Sequence, residues 1–208
     1  ININIIMKKI LFVTVMLGSA LFLQAQVNSI GPTLGFNYAW LSDNANADPR
    51  PSFNIGFVYN YSILQSSGIG FEARYSQEGA QTKIGNRTFT SALNYLRIPL
   101  KFTYYFGQLE DDFRPKIFAG PSLAFLVGGE TQTLVGENIV KVNSKDFYES
   151  FDVGLQAGAG FNYRLAELTW LNFDVAYTHG FLPVVKGNSS YEPRNRLLNL
   201  NLGVAFGF

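Results

Sequence analysis

The chain has 208 residues, enough for one or two domains, and 47% of them are apolar, so a sizeable core can be buried. Only 15% are charged, against about a quarter in soluble domains, while 15% are aromatic, with 19 Phe and 11 Tyr; such a surface suits bulk water poorly. A net charge of +1, falling to −1 when Lys8 and Lys9 are set aside, gives no reason to expect a nucleic-acid partner, and the lack of cysteine excludes a disulfide-stapled scaffold and a cysteine metal site.

Met7-Lys8-Lys9 followed by ILFVTVMLGSALFL (residues 10–23) reads as a positively charged and then an apolar export region. It leads into Gln24-Ala25-Gln26, so residues 1–25 are assigned to upstream residues plus a cleavable signal, starting at Met7, with a mature domain over 26–208. Fourteen apolar or small residues are short for a helix crossing about 30 Å of hydrocarbon, which disfavours a membrane anchor.

Eight segments of the mature chain then alternate with a period of two, the signature of a strand with unlike faces. The first sets Ile30, Leu34, Phe36, Tyr38 and Trp40 against Gly31, Thr33, Gly35, Asn37 and Ala39. The second sets Phe53, Ile55, Phe57 and Tyr59 against Asn54, Gly56, Val58 and Asn60; the third sets Ile69, Phe71, Ala73 and Tyr75 against Gly68, Gly70, Glu72 and Arg74. In the fourth, Leu96, Ile98, Leu100, Phe102, Tyr104 and Phe106 oppose Tyr95, Arg97, Pro99, Lys101, Thr103 and Tyr105. The fifth, beginning near Ile117, is the least regular. In the sixth, Phe151 to Tyr163 alternates with Asp152, Gly154, Gln156, Gly158, Gly160, Asn162 and Arg164. The seventh opposes Leu171, Phe173, Val175 and Tyr177 to Trp170, Asn172, Asp174 and Ala176. The last, RLLNLNLGVAFGF, opposes Leu198, Leu200, Leu202, Val204, Phe206 and Phe208 to Asn199, Asn201, Gly203, Ala205 and Gly207.

Connections alternate in length. Residues 42–51, 77–89, 128–146 and 179–195 are long, and 62–67, 107–113 and Leu165-Ala166-Glu167 are shorter; the 128–146 stretch is expected to extend its neighbours as a ribbon. A strand with one greasy face and one small or polar face spans lipid only if its backbone pairs on both edges, which requires closure. The fold class predicted is therefore all-β: an eight-stranded antiparallel up-and-down transmembrane β-barrel with short periplasmic turns and longer extracellular loops.

Eight strands leave a lumen that side chains can fill. Glu72, Arg74, Arg97, Lys101, Asp152, Arg164 and Asp174 are predicted to meet there as an ion-pair and hydrogen-bond network, with a narrow pore or binding cavity as the competing reading. Tyr38, Trp40, Tyr59, Tyr61, Tyr75, Tyr104, Tyr105, Tyr163 and Tyr177 lie towards strand ends, as an aromatic girdle would. Pro99 is expected to mark a bulge. A lipocalin-like barrel or a soluble sandwich would need a charged outer face, which these strands do not supply.

The run YLRIPLKFTYYF (residues 95–106) resembles a segment of the PorT-like outer-membrane β-barrel proteins of the Bacteroidetes, through Tyr95, Leu96, Ile98, Pro99 and Leu100. The signal ending at Ala25-Gln26, Gly31 to Tyr38, Gly120-Pro121-Ser122, Gly154 to Gly160 and Phe208 also look like that family, over the whole mature chain. The resemblance implies an outer-membrane location and, in one branch, assistance to a secretion system; Phe208 is expected to act also as an assembly signal.

Chemistry is sparse. His179, the sole histidine, with Asp174 and with Ser189 and Ser190 nearby in sequence, is the candidate for acyl chemistry, which needs hydrogen-bond reach among the three groups. One histidine and no cysteine leave no cofactor or metal set. Lys83, Arg87, Lys141, Lys145, Lys186 and Arg194 lie in the outer loops, where contact with lipopolysaccharide phosphates and simple solvation of the loops account for them equally well. The reading is thus a non-enzymatic outer-membrane barrel with a structural, adhesive or secretion-accessory role. A small channel or ligand-binding barrel is the alternative. The expected partners are outer-membrane lipid and lipopolysaccharide and envelope or secretion-system proteins.

Overall fold

In a computed structural model, the described residues are 28–42, 47–84, 87–108, 110–135, 138–187 and 192–208. The assigned signal, Ser189 and Ser190 lie outside them. Eight strands form the wall: β1 (Asn28–Leu41), β2 (Ala47–Leu64), β3 (Ser67–Ile84), β4 (Arg87–Tyr105), β5 (Phe113–Gly128), β8 (Phe151–Ala166), β9 (Thr169–Pro183) and β10 (Arg194–Gly207). Between β5 and β8 the chain makes a ribbon, β6 (Glu130–Val135) and β7 (Asn138–Asn143), as the 128–146 stretch suggested.

Each wall strand pairs antiparallel with its neighbours, and β1 pairs with both β2 and β10, which closes the cylinder. The alternation read from sequence decides which way each side chain faces. Phe36 is 73% exposed, and Leu34, Phe57, Phe102, Leu200 and Phe206 are likewise exposed, whereas Asn37, Asn54, Arg74, Arg97 and Asn199 are buried. The outside is a hydrocarbon surface and the inside a polar core. In outer-membrane barrels the turns of the periplasmic end are short and the outer end is the more elaborate; here residues 65–66, 106–112 and 167–168 connect strands at one end, and the strand extensions and the β6–β7 ribbon lie at the other.

The aromatic residues form two levels on the outer face. Tyr38, Trp40, Tyr75 and Tyr177 lie towards the loop end, and Tyr59, Tyr61, Tyr104 and Tyr163 towards the turn end. Tyr38 to Trp40 and Trp40 to Tyr177 have centroid separations of 6.4 and 6.1 Å. Tyr61 lies opposite Asn28, and Tyr38 lies ten residues further along β1. At about 3.3 Å per residue and a tilt of about 40°, that separation is about 25 Å, the height of an apolar membrane band. Tyr105 is the exception to the expected girdle: its side chain is buried inside the barrel.

Three further expectations are corrected. The 77–89 stretch is not a loop; β3 and β4 stay paired out to Ile84 and Arg87, and β2 and β9 also run past their expected outer ends. Beyond the bilayer the outer face no longer meets acyl chains, so Gln77, Gln81 and Thr88 stand where large apolar residues stand below, and the alternation that advertises a strand is lost. Pro99 makes no bulge: the β3–β4 ladder skips from Phe71/Leu100 to Arg74/Arg97 without a register change, and the β4–β5 register is unbroken at Pro99/Ser122. The missing amide donor costs local pairing only. Arg164 is half-buried near the turn end rather than part of the central network, 3.7 Å from Asp112.

One backbone feature sets the shape of the outer end. β4 pairs with β5 from Tyr105 up to Asn94, opposite Gly128, and with β6 from Ser91 to Arg87. The handover occurs at Gly129, at φ 141°, where a Cβ would lie 2.1 Å from the Ala92 carbonyl oxygen. β5 and β6 thus act as one strand interrupted by a glycine step.

Phe36→Arg, near the middle of β1 on the outer face, is expected to destabilise the barrel by about 2–4 kcal/mol in denaturant titrations from phospholipid vesicles. An unchanged midpoint would mean that this face does not contact acyl chains.

Candidate functional site: a sealed lumen

The lumen is stacked in three tiers. Nearest the turn end, β4 places Lys101 and β9 places Asp174, with Glu72 from β3 and Lys116 from β5. Lys101 Nζ donates to Glu72 Oε1 and, at 3.0 Å, to Asp174 Oδ2; Lys116 Nζ lies 2.8 Å from Asp174 Oδ1. The Lys101 ammonium also sits 4.5 Å from the Phe118 ring centre. Phe118 fits because its neighbour in β8 is Gly158, where a Cβ would come within 2.6 Å of the ring. Below this tier, the Arg114 guanidinium covers the Tyr105 ring at 4.5 Å and donates to the Gln65 carbonyl in the first turn.

The middle tier is built on two arginines. Arg97, 1% exposed, holds Glu78 by two hydrogen bonds of 2.7 Å and donates to Ser122 Oγ at 3.1 Å. Such a fork-to-carboxylate pair fixes both side chains in one plane. Arg74 lies 3.1 Å from Glu72 and donates to Gln156 Oε1 at 3.3 Å. With the Asn199 amide turned to suit its neighbours, its oxygen accepts from Arg74 at 2.7 Å and its nitrogen donates to the Ala176 carbonyl. Asp152 accepts from Asn195 Nδ2 at 2.9 Å, and Asn37, Asn54 and Ser76 bridge β1, β2 and β3. Four buried acidic side chains, Glu72, Glu78, Asp152 and Asp174, thus share the interior with the basic Arg74, Arg97, Lys101, Arg114 and Lys116.

The upper tier is apolar. Leu41, Ala80, Leu93, Tyr95, Ala124 and Leu126 converge on Tyr148 and Val184, which come from the connections before β8 and after β9. These two connections are clasped to one another: Tyr148 bridges Val185, Glu149 N–H donates to the Val184 carbonyl and Lys186 N–H to the Phe147 carbonyl. The Tyr148 hydroxyl lies 2.6 Å from Ser91 Oγ, and burial pushes it above the ordinary tyrosine range. The mouth is therefore covered by a lid packed on a greasy ring, above a mid-section filled with paired charge.

Of the lumen charges expected from sequence, Glu72, Arg74, Arg97, Lys101, Asp152 and Asp174 are brought inside. Glu78 and Lys116 were missed because each lies just outside the segment in which alternation is clean. The spacing held their signal nonetheless, since each continues the inward parity of Arg74 and of Phe118. The acyl-chemistry candidates are not brought together. Asp174 is an inward residue tied to two lysines, whereas His179 is on the outer face among Tyr177 and Phe181, so the wall separates them. Among the described residues no group of three or more acidic or histidine side chains is placed to hold a metal ion.

A family model described as outer membrane protein beta-barrel domain matches residues 24–186. The chain belongs to this family. It is accordingly a protein of the outer membrane, and its wall is a closed eight-stranded barrel. Among solved structures it is similar to a major outer membrane protein from Thermus thermophilus, at 15% identity and TM-score 0.57, covering 89% of this chain and 100% of that one. It is also similar to Neisserial surface protein A, at 17% identity and TM-score 0.53, with 87% and 97% covered. OprG from Pseudomonas aeruginosa has 16% identity and TM-score 0.50, with 88% and 97% covered. At these identities the likeness is one of fold. No curated protein sequence matches the chain significantly.

Glu78→Ala is expected to cost about 3–5 kcal/mol of folded-state stability, because Arg97 is left as a buried unpaired cation. Glu78→Leu combined with Arg97→Met is expected to recover most of that loss. Chemical denaturation of the two variants in detergent micelles compares them; equal losses would mean that the pair is not a coupled unit.

Proposed function

We propose that this outer-membrane barrel is a sealed, non-catalytic scaffold of the PorT-like Bacteroidetes type. On this reading it works through its exposed ends, in a structural, adhesive or secretion-accessory role, with lipopolysaccharide and envelope or secretion-system proteins as its partners. The single observation that supports it is the filled lumen. A conduction path would have to break the Arg97–Glu78 fork and then pass the lid of Tyr148 and Val184. A cavity for a small ligand would have to displace the same groups. The separation of His179 from Asp174 supports the non-catalytic reading.

The parts left free to meet partners are those outside the bilayer. The β6–β7 ribbon projects beyond the wall and exposes Leu134, Ile139 and Val140, and β7 is the last strand of its sheet. Lys141 and Lys145 are exposed near it. Unpaired strand edges and apolar side chains above a membrane suit protein contact better than solvent contact.

Two measurements test this. In planar bilayers the purified barrel is expected to be silent; discrete current steps abolished by changes at Arg97 or Asp174 would instead make it a pore. Crosslinking with mass spectrometry in the native outer membrane is expected to yield proteins joined through residues of the 128–150 region. Crosslinks confined to the turn end, or none in an envelope whose integrity survives deletion, would count against a role for the outer ribbon.

A further inference from the structure

The outer end of the barrel carries a cleft that neither the sealed lumen nor the lid uses. β3, β4, β6 and β7 form a continuous sheet there, and its pairing fixes which residues share a face. Gln77 lies opposite Asn94, Glu130 opposite Asn143, and Gln132 opposite Lys141, all on the face pointing away from the lumen. These six residues line a cavity of about 610 Å³, floored in part by Ala92 and Gly129.

Its height is set by the rows beneath. Tyr75 is paired with Leu96, and Leu96 with Phe125; all three are exposed on the lipid side. Gln77 and Asn94 stand only two residues higher, about 7 Å along the strand. The cleft therefore begins where acyl chains end, at the level of the outer-leaflet headgroups. Its chemistry is that of amides. Glu130 and Lys141 neutralise each other at 3.3 Å, so the lining carries no net charge, and the Asn94 side-chain oxygen is buried with no hydrogen-bond partner among the described residues. Amides in both donor and acceptor roles around a small apolar floor match a ring of hydroxyls better than they match a phosphate, which would select cations.

We propose that this cleft binds an uncharged sugar unit of an outer-leaflet glycolipid, with Asn94 and Gln132 as its hydrogen-bonding residues. The site rests on the outer-membrane placement and not on the lumen's being closed. Its size suits one or two sugar rings, and lateral access from the bilayer needs no movement of the lid.

The test titrates the folded barrel in phospholipid nanodiscs with dephosphorylated core oligosaccharide released from lipopolysaccharide, following side-chain amide resonances by NMR. Saturable shifts at Asn94 and Gln132 are expected, and Asn94→Leu and Gln132→Leu are each expected to weaken binding about tenfold, the effect of one lost hydrogen bond in a desolvated site. Gln132 lies on the ribbon outside the wall, so its variant tests the site even where Asn94→Leu impairs folding. Intact rough lipopolysaccharide in the disc is expected to compete the oligosaccharide off. Absent shifts, binding that needs the phosphates, unweakened affinity in both variants, or failure of the lipopolysaccharide to compete would each overturn the assignment. Heat-modifiable gel mobility reports insertion separately: a chain that never inserts removes the barrel reading as well, whereas an inserted barrel without shifts removes this site alone.

Discussion

Hydrocarbon offers no hydrogen bonds, so every peptide group at membrane depth has to find its partner within the protein. The β1–β10 ladder meets that demand. It joins the two ends of the sheet, leaves no edge in the lipid, and thereby converts a period-two pattern into an inside and an outside. The rest of the molecule follows from this closure. Phe36 and Leu200 are stable in exposed positions only because their surroundings are acyl chains, and Arg74 and Arg97 tolerate burial only because eight strands bring anions and amides around them.

The interior shows how costly charge is accommodated. Among the described residues, no buried cation in the central tiers stands alone: Lys101 bridges two carboxylates, Lys116 holds one of the same pair, and Arg97 grips Glu78 on both oxygens. Buried ion pairs contribute little net stability against an apolar filling. Their value here is geometric, because the pairs of Asp174 with Lys101 and Lys116 join strands that are not neighbours in the wall and so fix the cross-section. Lys101 and Asp174, for example, belong to β4 and β9, on opposite parts of the wall.

The wall was legible in the sequence because lipid on one side and a packed lumen on the other impose opposite demands on successive residues. Glu72, Arg74, Arg97 and Asp174 could be placed inside on parity alone. Legibility ended where that contrast ended. Above the bilayer the outward positions of β3 are Gln77 and Gln81 rather than large apolar residues, although Glu78 and Ala80 between them stay buried, so a strand reads as a loop. Tyr105 suits a girdle by residue type, yet its parity with Lys101 and Thr103 points inward, and parity wins. The lid was invisible for a different reason: Tyr148 and Val184 meet where the chain extends the β8–β9 hairpin at its outer end, and no local pattern marks them.

That lid also constrains the order of assembly. Its halves come from the segments on either side of the β8–β9 hairpin, and Val184 N–H is held by the carbonyl of Pro193, just before β10. The bond from Val184 to Pro193 cannot form until the chain has turned towards its last strand. While the wall is still open at the β1–β10 seam, Lys101, Arg97 and their carboxylates remain in contact with water, and they give up hydration only as their partners arrive. Burial of the central charges and completion of the wall are thus coupled, since Lys101 meets Asp174 only once β9 has taken its place across from β4.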